Sequence, residues 1–359
     1  MKKIAHICPD EKFIDYAVKN FEAVENNISN FYIVSRGPLK HVKADGVKRL
    51  SILKFLIFCI LGKYNEYDLV IIHSLRKVNK LQLLLSSKKT KFLWVGFGYD
   101  YYNLYRSRKY LPITNQLVNL QKEHKSIFQN SLLSKRIFSK INFFAPVFDI
   151  EYEHAKGNIP GLNARFIDWN YGSSNTTISK FKDTKVSGNK VLIGNSCAPT
   201  NNHLDVLEII KDSILEYEII LPLSYGDLIY KNKLMEKLKL NYNCYNFECI
   251  EEFLPVDSYF DKLKECSLAV FGYTTQAAVG NIVVMLYLGA KVFLHEDNYL
   301  LTYFRNRGFI IFSINDFDFE CKKVLLEDDI VKNKMLVDEM TNFDLIKEKT
   351  RKLIRTCAY

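Results

Sequence analysis

Residues Val191 to Leu204 read Val-Leu-Ile-Gly-Asn-Ser-Cys-Ala-Pro-Thr-Asn-Asn-His-Leu. An apolar run ends at Gly194, Asn195 and Ser196, and a helical pattern begins near Asn202. Glycine lets backbone approach a ligand closely, Asn and Ser add hydrogen-bonding groups, and a helix start presents free N–H groups with the positive end of its dipole. Such a turn can cradle a diphosphate. The plainer alternative is an ordinary strand-to-helix turn with an Asn N-cap. A second turn of the same kind, Phe271-Gly-Tyr-Thr-Thr-Gln276-Ala-Ala-Val-Gly280-Asn281, leads into an apolar helix over 282–288. Gln276 and Asn281 are suited to bond phosphate or sugar hydroxyls. Neither turn spells GxGxxG or a P-loop, so a dinucleotide or ATP site is not supported. After a further strand comes His295-Glu296-Asp297-Asn298, where Glu296 or Asp297 can hold a ribose or sugar hydroxyl, or cap the next helix.

The first half offers proton chemistry. Phe92-Leu-Trp-Val-Gly-Phe-Gly98-Tyr-Asp100-Tyr-Tyr102 sets a carboxylate just past an apolar strand. Group transfer to a hydroxyl needs a base for the hydroxyl proton, and Asp100 is the first candidate for one. His73, closing Leu69-Val-Ile-Ile-His73, is the second; a structural hydrogen-bonding histidine is its plainer reading. The only literal DxD, Asp316-Phe317-Asp318, reads as an acidic pair at a helix start rather than a metal site. No cofactor and no metal are expected, with backbone N–H groups and cations stabilising a leaving diphosphate.

Residues 101–140 mix aromatics with cations: Tyr101, Tyr102, Tyr105, Arg106, Arg108, Lys109, Tyr110, Lys122, Lys125, Lys135, Arg136 and Lys140. Together with the apolar stretch 52–61, they can dock on an anionic bilayer and gather a lipid diphosphate; a basic solvent-facing helix pair is the alternative. The charge supports a basic half. Residues 1–140 carry 25 Lys/Arg against 10 Asp/Glu, whereas 141–359 carry 25 against 30. An anionic partner is implied, whether phospholipid, phosphorylated lipid or nucleic acid. No helix-turn-helix or base-stacking sheet speaks for nucleic acid.

These residues must be positioned by elements, and the pattern is short β-rich runs alternating with amphipathic segments, as in βα units around parallel sheets. Strands are expected at 3–8, 31–35, 68–74, 91–97, 141–147 and 165–169, then at 190–194, 218–222, 267–272, 291–295 and 309–313. Helices fit 11–26, 51–62, 76–88 and 110–140, then 202–212, 227–240, 256–265 and 277–288, with 316–359 helical and charged. Residues 171–189, rich in Ser, Thr, Gly and Asn, read as a linker. The division expected is 1–175, with the basic stretch that can face an anionic acceptor or membrane; 189–330, with the two turns that can cradle the diphosphate of a nucleotide; and 331–359, C-terminal helices packing across both.

At 359 residues with 48% hydrophobic content, the chain can fill two cores. Eight cysteines without CxxC pairs read as reduced thiols in a cytosolic protein, with no zinc site. The N-terminal apolar run is too short for a signal peptide, and 52–61 is too short to span a bilayer. Membrane contact is therefore expected to be peripheral.

The same segments resemble the TDP-N-acetylfucosamine:lipid II N-acetylfucosaminyltransferase family, the 4-α-L-fucosyltransferase-like group of glycosyltransferase family 56. The matching residues are Trp94 to Tyr102, Gly194-Asn195-Ser196 with Asn202-His203, Pro222-x-x-Tyr225, Gln276-x-x-x-Gly280 and Asp297-Asn298. They run collinearly, best from 90 to 300. Phe97 stands where the family pattern has a second Trp, and Thr275 where it has Arg, so the exact sugar is not carried over.

The resemblance implies an α/β GT-B-like fold of two doubly wound Rossmann-like domains with an interdomain cleft. It implies a glycosyltransferase using a nucleotide sugar, TDP-linked such as TDP-Fuc4NAc, and a polyprenyl-diphosphate-linked saccharide acceptor. The setting it implies is O-antigen or common-antigen synthesis at the inner face of the bacterial inner membrane. Donor-binding residues are then Gly194, Asn195, Ser196, Asn202, Tyr225, Gln276, Gly280, Asn281 and Asp297, with Asp100 and His73 for proton transfer. A catalytically silent sugar-nucleotide-binding subunit and a basic nucleic-acid-binding protein are the alternatives.

Overall fold

Buried on both faces, the strands of a parallel sheet become near-continuous apolar runs, and two sheets of this kind form here. The structure is a computed structural model that describes residues 2–87, 89–105, 110–118, 132–172, 181–182 and 184–358. It comprises two compact units. One holds the described residues within Met1–Arg106, His124–Ser174 and Thr341–Tyr359, the other those within Ser107–Glu123 and Asn175–Met340.

The first unit carries seven strands: β1 (Ile4–Cys8), β2 (Ser29–Val34), β3 (Lys48–Leu50), β4 (Leu69–His73), β5 (Lys91–Val95), β6 (Phe143–Ala145) and β7 (Arg165–Phe166). Their spatial order is β3-β2-β1-β4-β5-β6-β7, and every pairing is parallel. The order reverses between β1 and β4. Ile14, Ala17, Val18 and Phe21 of the helix Phe13–Glu22 pack in one core with Ile4, Ile33, Leu69, Leu93 and the C-terminal Leu353, Ile354 and Cys357. Trp169 Nε1 donates to Thr350 Oγ1 at 2.9 Å, which fastens the helix Phe343–Ala358 to this unit.

The second unit carries β8 (Lys190–Ile193), β9 (Glu218–Pro222), β10 (Asn246–Ile250), β11 (Cys266–Phe271), β12 (Lys291–Leu294) and β13 (Phe312–Ser313). The order is β10-β9-β8-β11-β12-β13, again all parallel. It reverses between β8 and β11, the place where doubly wound sheets bind ligands beyond their strand ends. Its core joins Val191, Ile193, Leu204, Leu207, Ile219, Leu221, Leu234, Val270 and Phe293.

Several boundaries differ from the sequence reading. The helix expected over 110–140 is two described helices, Pro112–Val118 in the second unit and Leu132–Phe138 in the first. Asp205 draws the former to its unit, accepting from the Ile113 and Thr114 amides at 2.8 and 2.9 Å. The C-terminal segment likewise divides: Glu327–Met340 lies in the second unit and Phe343–Ala358 in the first. Helices Tyr99–Tyr105, Glu151–Asn158 and Tyr299–Asn306 were not anticipated. Neither were β3 and β10, which sit at sheet edges and lack long apolar runs because one side meets no strand. In β10, Glu248 instead meets Lys190 at 3.2 Å and Lys262 at 2.7 Å. Nine of the nineteen residues read as a linker, 173–180 and 183, lie outside the described residues, as do Arg106, Arg108, Lys109, Lys122 and Lys125 of the basic segment.

Candidate active site

In the second unit the turns after β8 and β11 are bound directly to each other. The Gly194 amide donates to the Val270 carbonyl at 2.9 Å, extending the β8–β11 pairing into the turn. Tyr273 Oη donates to Asn195 Oδ1 at 2.5 Å, and Asn202 Nδ2 donates to the Gly272 carbonyl at 2.8 Å. A third turn joins from β9: Asn195 Nδ2 donates to Tyr225 Oη at 3.0 Å, with Tyr225 half exposed. The expected set Gly194, Asn195, Ser196, Asn202 and Tyr225 is therefore assembled at one sheet edge.

Gly194 is required there. Its φ is +70°, and a Cβ would lie 2.6 Å from Asn201 Oδ1 and 2.9 Å from His203 Nε2. Asn201, fully buried, organises the turn by donating to the Ser196 and Ala198 carbonyls and accepting from the Asn195 amide at 3.1 Å. Asn202 is committed to the scaffold, because its Oδ1 accepts from the Leu111 amide at 2.9 Å. Ser196 Oγ accepts from Asn201 Nδ2 at 3.1 Å. Beneath the turn, burial holds His203 down to about 3, so its ring is neutral; Nδ1 meets Tyr230 Oη at 3.1 Å.

The helix Val279–Leu288 begins beside these turns, with Ala278 at its N-cap in the left-handed region at φ 55° and no side-chain cap. The first-turn amides have no intrahelical acceptor and form the positive end of the helix dipole. Gly280 is exposed, and a Cβ there would meet nothing within 4 Å, so a ligand has open approach to this turn. Asn281 Nδ2 is held by Tyr259 Oη at 2.8 Å. Gln276 is half buried in the preceding turn. Asp297 is exposed in the turn after β12, one strand further from the switch point, followed by the N-cap Asn298, whose Oδ1 accepts from the Leu300 amide at 3.0 Å. Asn298 Nδ2 is buried without a partner.

In the first unit the two proton-transfer candidates are both tied into the fold. Asp100 Oδ2 accepts from the Leu75 amide and from Trp94 Nε1, each at 2.8 Å, and Oδ1 accepts from the Phe97 amide at 2.8 Å. Burial raises its pKa against the lowering effect of these donors. The carboxylate thus fixes the loops after β4 and β5, a positioning geometry rather than that of an open base.

His73 is fully buried in a chain of hydrogen bonds. Its Nε2 meets His6 Nδ1 at 3.0 Å, its Nδ1 meets Tyr171 Oη at 2.5 Å, and His6 Nε2 meets Ser29 Oγ at 3.2 Å. Two donor orders satisfy this chain, running from Tyr171 to Ser29 or the reverse. Burial lowers His73 to about 3, so it is a neutral link inside the sheet.

Asp100 also walls a cavity of about 370 Å³ with Arg76, Lys77, Lys80, Tyr99 and Ser134. Arg76 Nη1 and Nη2 donate to the Val34 and Cys8 carbonyls at 2.9 and 3.1 Å, while its Nε is buried without a partner. Burial, and after it Lys77, holds Lys80 below the ordinary lysine range. A cavity with this many cationic groups suits an anion. Sequence reasoning passed over Arg76, Tyr273 and Asn201. The repeated strand-turn-helix pattern pointed to their turns, but not to the side chains that lock them.

Elsewhere, the two DxD carboxylates serve different partners. Asp316 lies 3.6 Å from Arg305 Nη2, and Asp318 accepts from Ser213 Oγ at 2.6 Å. Lys135 and Arg136 are exposed on the helix Leu132–Phe138.

Comparison with known proteins agrees with this architecture. Residues 81–325 match the family described as 4-alpha-L-fucosyltransferase, glycosyl transferase group 56. Among solved structures, sucrose-phosphate synthase from Thermosynechococcus elongatus superposes with a TM-score of 0.66 at 10% identity, over 99% of each chain. A glycosyltransferase from Rickettsia africae gives 0.63 at 12%, over 99% of this chain and 98% of that one. Anabaena HepE, in complex with UDP and glucose, gives 0.63 at 11%, over 99% of this chain and all of the other. At such identities the likeness is one of fold, the GT-B arrangement of two Rossmann-like units. The family match covers well over half of the sequence, and the chain is a glycosyltransferase belonging to the 4-alpha-L-fucosyltransferase family, glycosyl transferase group 56.

Proposed function

We propose that the second unit binds a nucleotide sugar, TDP-linked and of the deoxy- or N-acetylamino type such as TDP-Fuc4NAc, with its diphosphate at the switch point between β8 and β11. The observation that carries this reading is the direct bonding of the 194–202 and 272–278 turns beside the uncapped, open helix start at Val279–Asn281. Free amides and a dipole end favour two adjacent phosphates. HepE, of the same fold, has been captured with UDP and with UDP-glucose.

In the reaction an acceptor hydroxyl oxygen bonds to C1 of the sugar. The bond from C1 to the β-phosphate oxygen breaks, the nucleoside diphosphate leaves with the electron pair, and the acceptor hydroxyl gives its proton to solvent or to that diphosphate. The chain's own amides stabilise that charge, with no metal or cofactor assigned to the step. The proposed acceptor is a polyprenyl-diphosphate-linked saccharide of bacterial surface-polysaccharide assembly, at the cytoplasmic face of the inner membrane. The cationic cavity of the first unit supports an anionic acceptor group. Asp100 then acts as a positioning residue that shapes this cavity, and His73 as part of its buried support.

A thermal-shift screen of nucleotides tests the donor class. Stabilisation by TDP or UDP but not by NAD or ATP is expected; the opposite ranking refutes it. Transfer from a TDP-sugar to a lipid-linked saccharide by the purified chain would rule out a silent binding subunit.

A further inference from the structure

The helix Ile52–Ile60 reads Ile-Leu-Lys-Phe-Leu-Ile-Phe-Cys-Ile, yet only Phe55 and Cys59 of it are buried. A surface helix of a globular protein ordinarily turns polar residues outward. Here Leu53 is 69% exposed, Ile60 70% and Leu61 64%, with Ile57 also exposed. The helix Lys77–Leu85 packs beside it and exposes Leu81 and Leu85. Single exposed leucines need no explanation, but a set on two neighbouring helices does.

The charge on these two helices and their immediate flanks is one-sided. Residues 51–63 and 76–91 carry eight Lys or Arg and no Asp or Glu. Lys54, Lys63, Lys77 and Lys89 are exposed, standing near the helix ends around the apolar residues.

We propose that this two-helix face docks on an anionic phospholipid bilayer. Leu53, Ile57, Ile60 and Leu61 enter the boundary between headgroups and acyl chains, and the lysines meet lipid phosphates. The mode is interfacial, because no described helix is long and apolar enough to cross a membrane. A second copy of the chain is the poorer occupant, since it would set these cations against their own kind. The proposal deepens the lipid-linked acceptor reading, but its test needs neither donor nor acceptor.

The full chain is sedimented with vesicles of phosphatidylglycerol and phosphatidylethanolamine, and with vesicles of phosphatidylcholine alone. Binding to the anionic vesicles is expected, weakened by high salt. The triple variant L53Q/I60Q/L61Q lowers that binding about tenfold or more by removing inserted apolar area, with an unchanged Tm. The variant K54Q/K63Q/K89Q lowers binding to anionic vesicles and leaves any phosphatidylcholine binding as it was. These lysines are exposed, so this set keeps the test decisive if the apolar variant fails to fold.

Wild-type binding by either folded variant, or equal binding to both vesicle types, overturns the proposal. So does a wild-type dimer, seen by light scattering, that the triple variant abolishes. TDP binding by the variants separates the two readings. Loss of docking with TDP binding kept acts on this face alone, whereas a wild type that docks but binds no nucleotide fails only the donor assignment.

Discussion

Tyr273 Oη donates to Asn195 Oδ1 at 2.5 Å, so the turn after β11 is held against the turn after β8 by a side-chain bond as well as by the sheet. Asn195 in turn donates to Tyr225, and three turns share one polar junction. Tyr273→Phe keeps the ring and removes the bond. A stability loss of about 0.5–1.5 kcal/mol is expected in urea unfolding, together with weaker nucleotide binding. Unaltered nucleotide affinity would separate the junction from the donor site.

Gly194→Ala tests the tight packing of the turn. The added Cβ must enter a left-handed backbone and meet Asn201 Oδ1 and His203 Nε2 within 3 Å. A loss of about 1–3 kcal/mol follows from strain at such a position, read as a drop in Tm. A variant as stable as the wild type would mean that the turn is not held as described.

Asp100→Asn separates positioning from chemistry. The carboxylate accepts from three donors, and an amide must turn its NH₂ toward at least one of them. The expected cost is about 1–3 kcal/mol for the donor left unpaired, with nucleotide binding kept. Unchanged stability would contradict the positioning role and return Asp100 to candidacy as an open base.

Buried titrating groups set the pH dependence of stability. Burial lowers His73 and His203 to about 3, and burial, followed by the proximity of His73, lowers His6. The unfolded chain therefore binds more protons below the ordinary histidine pKa, and stability falls as pH drops through that range. Glu151 acts oppositely. Burial raises it to about 7 despite hydrogen bonds from Tyr101, Tyr102 and the Phe148 amide. Between its unfolded value of 4.5 and about 7, the folded state holds the extra proton, so stability rises on acidification and partly offsets the histidines. Glu151→Gln should steepen the acid loss in urea titrations across this interval; a shallower slope would reverse the assignment.

The sequence pattern made the doubly wound architecture legible because parallel strands buried on both faces are apolar along their whole length, as in Leu69-Val-Ile-Ile. The polar turns after β8 and β11 were legible because glycine and amide residues cluster where an apolar run stops, as at Gly194-Asn195-Ser196. What stayed hidden depends on distant partners. Asp205 takes the helix Pro112–Val118 into the second unit across more than ninety residues of sequence, and no local pattern records that. Asp100 stood where a base would stand, but only the surrounding donors show that both oxygens are occupied.

Gly280 gives the most direct test of the donor site, because it is exposed, has open space over its Cα and begins the helix proposed to face the diphosphate. Calorimetric titration of TDP into the wild type and Gly280→Leu measures this without chemistry. The account predicts an equal or higher Tm for the variant and TDP binding weakened about tenfold or more, the scale of losing roughly one phosphate contact. Equal TDP affinity in the two proteins would contradict it.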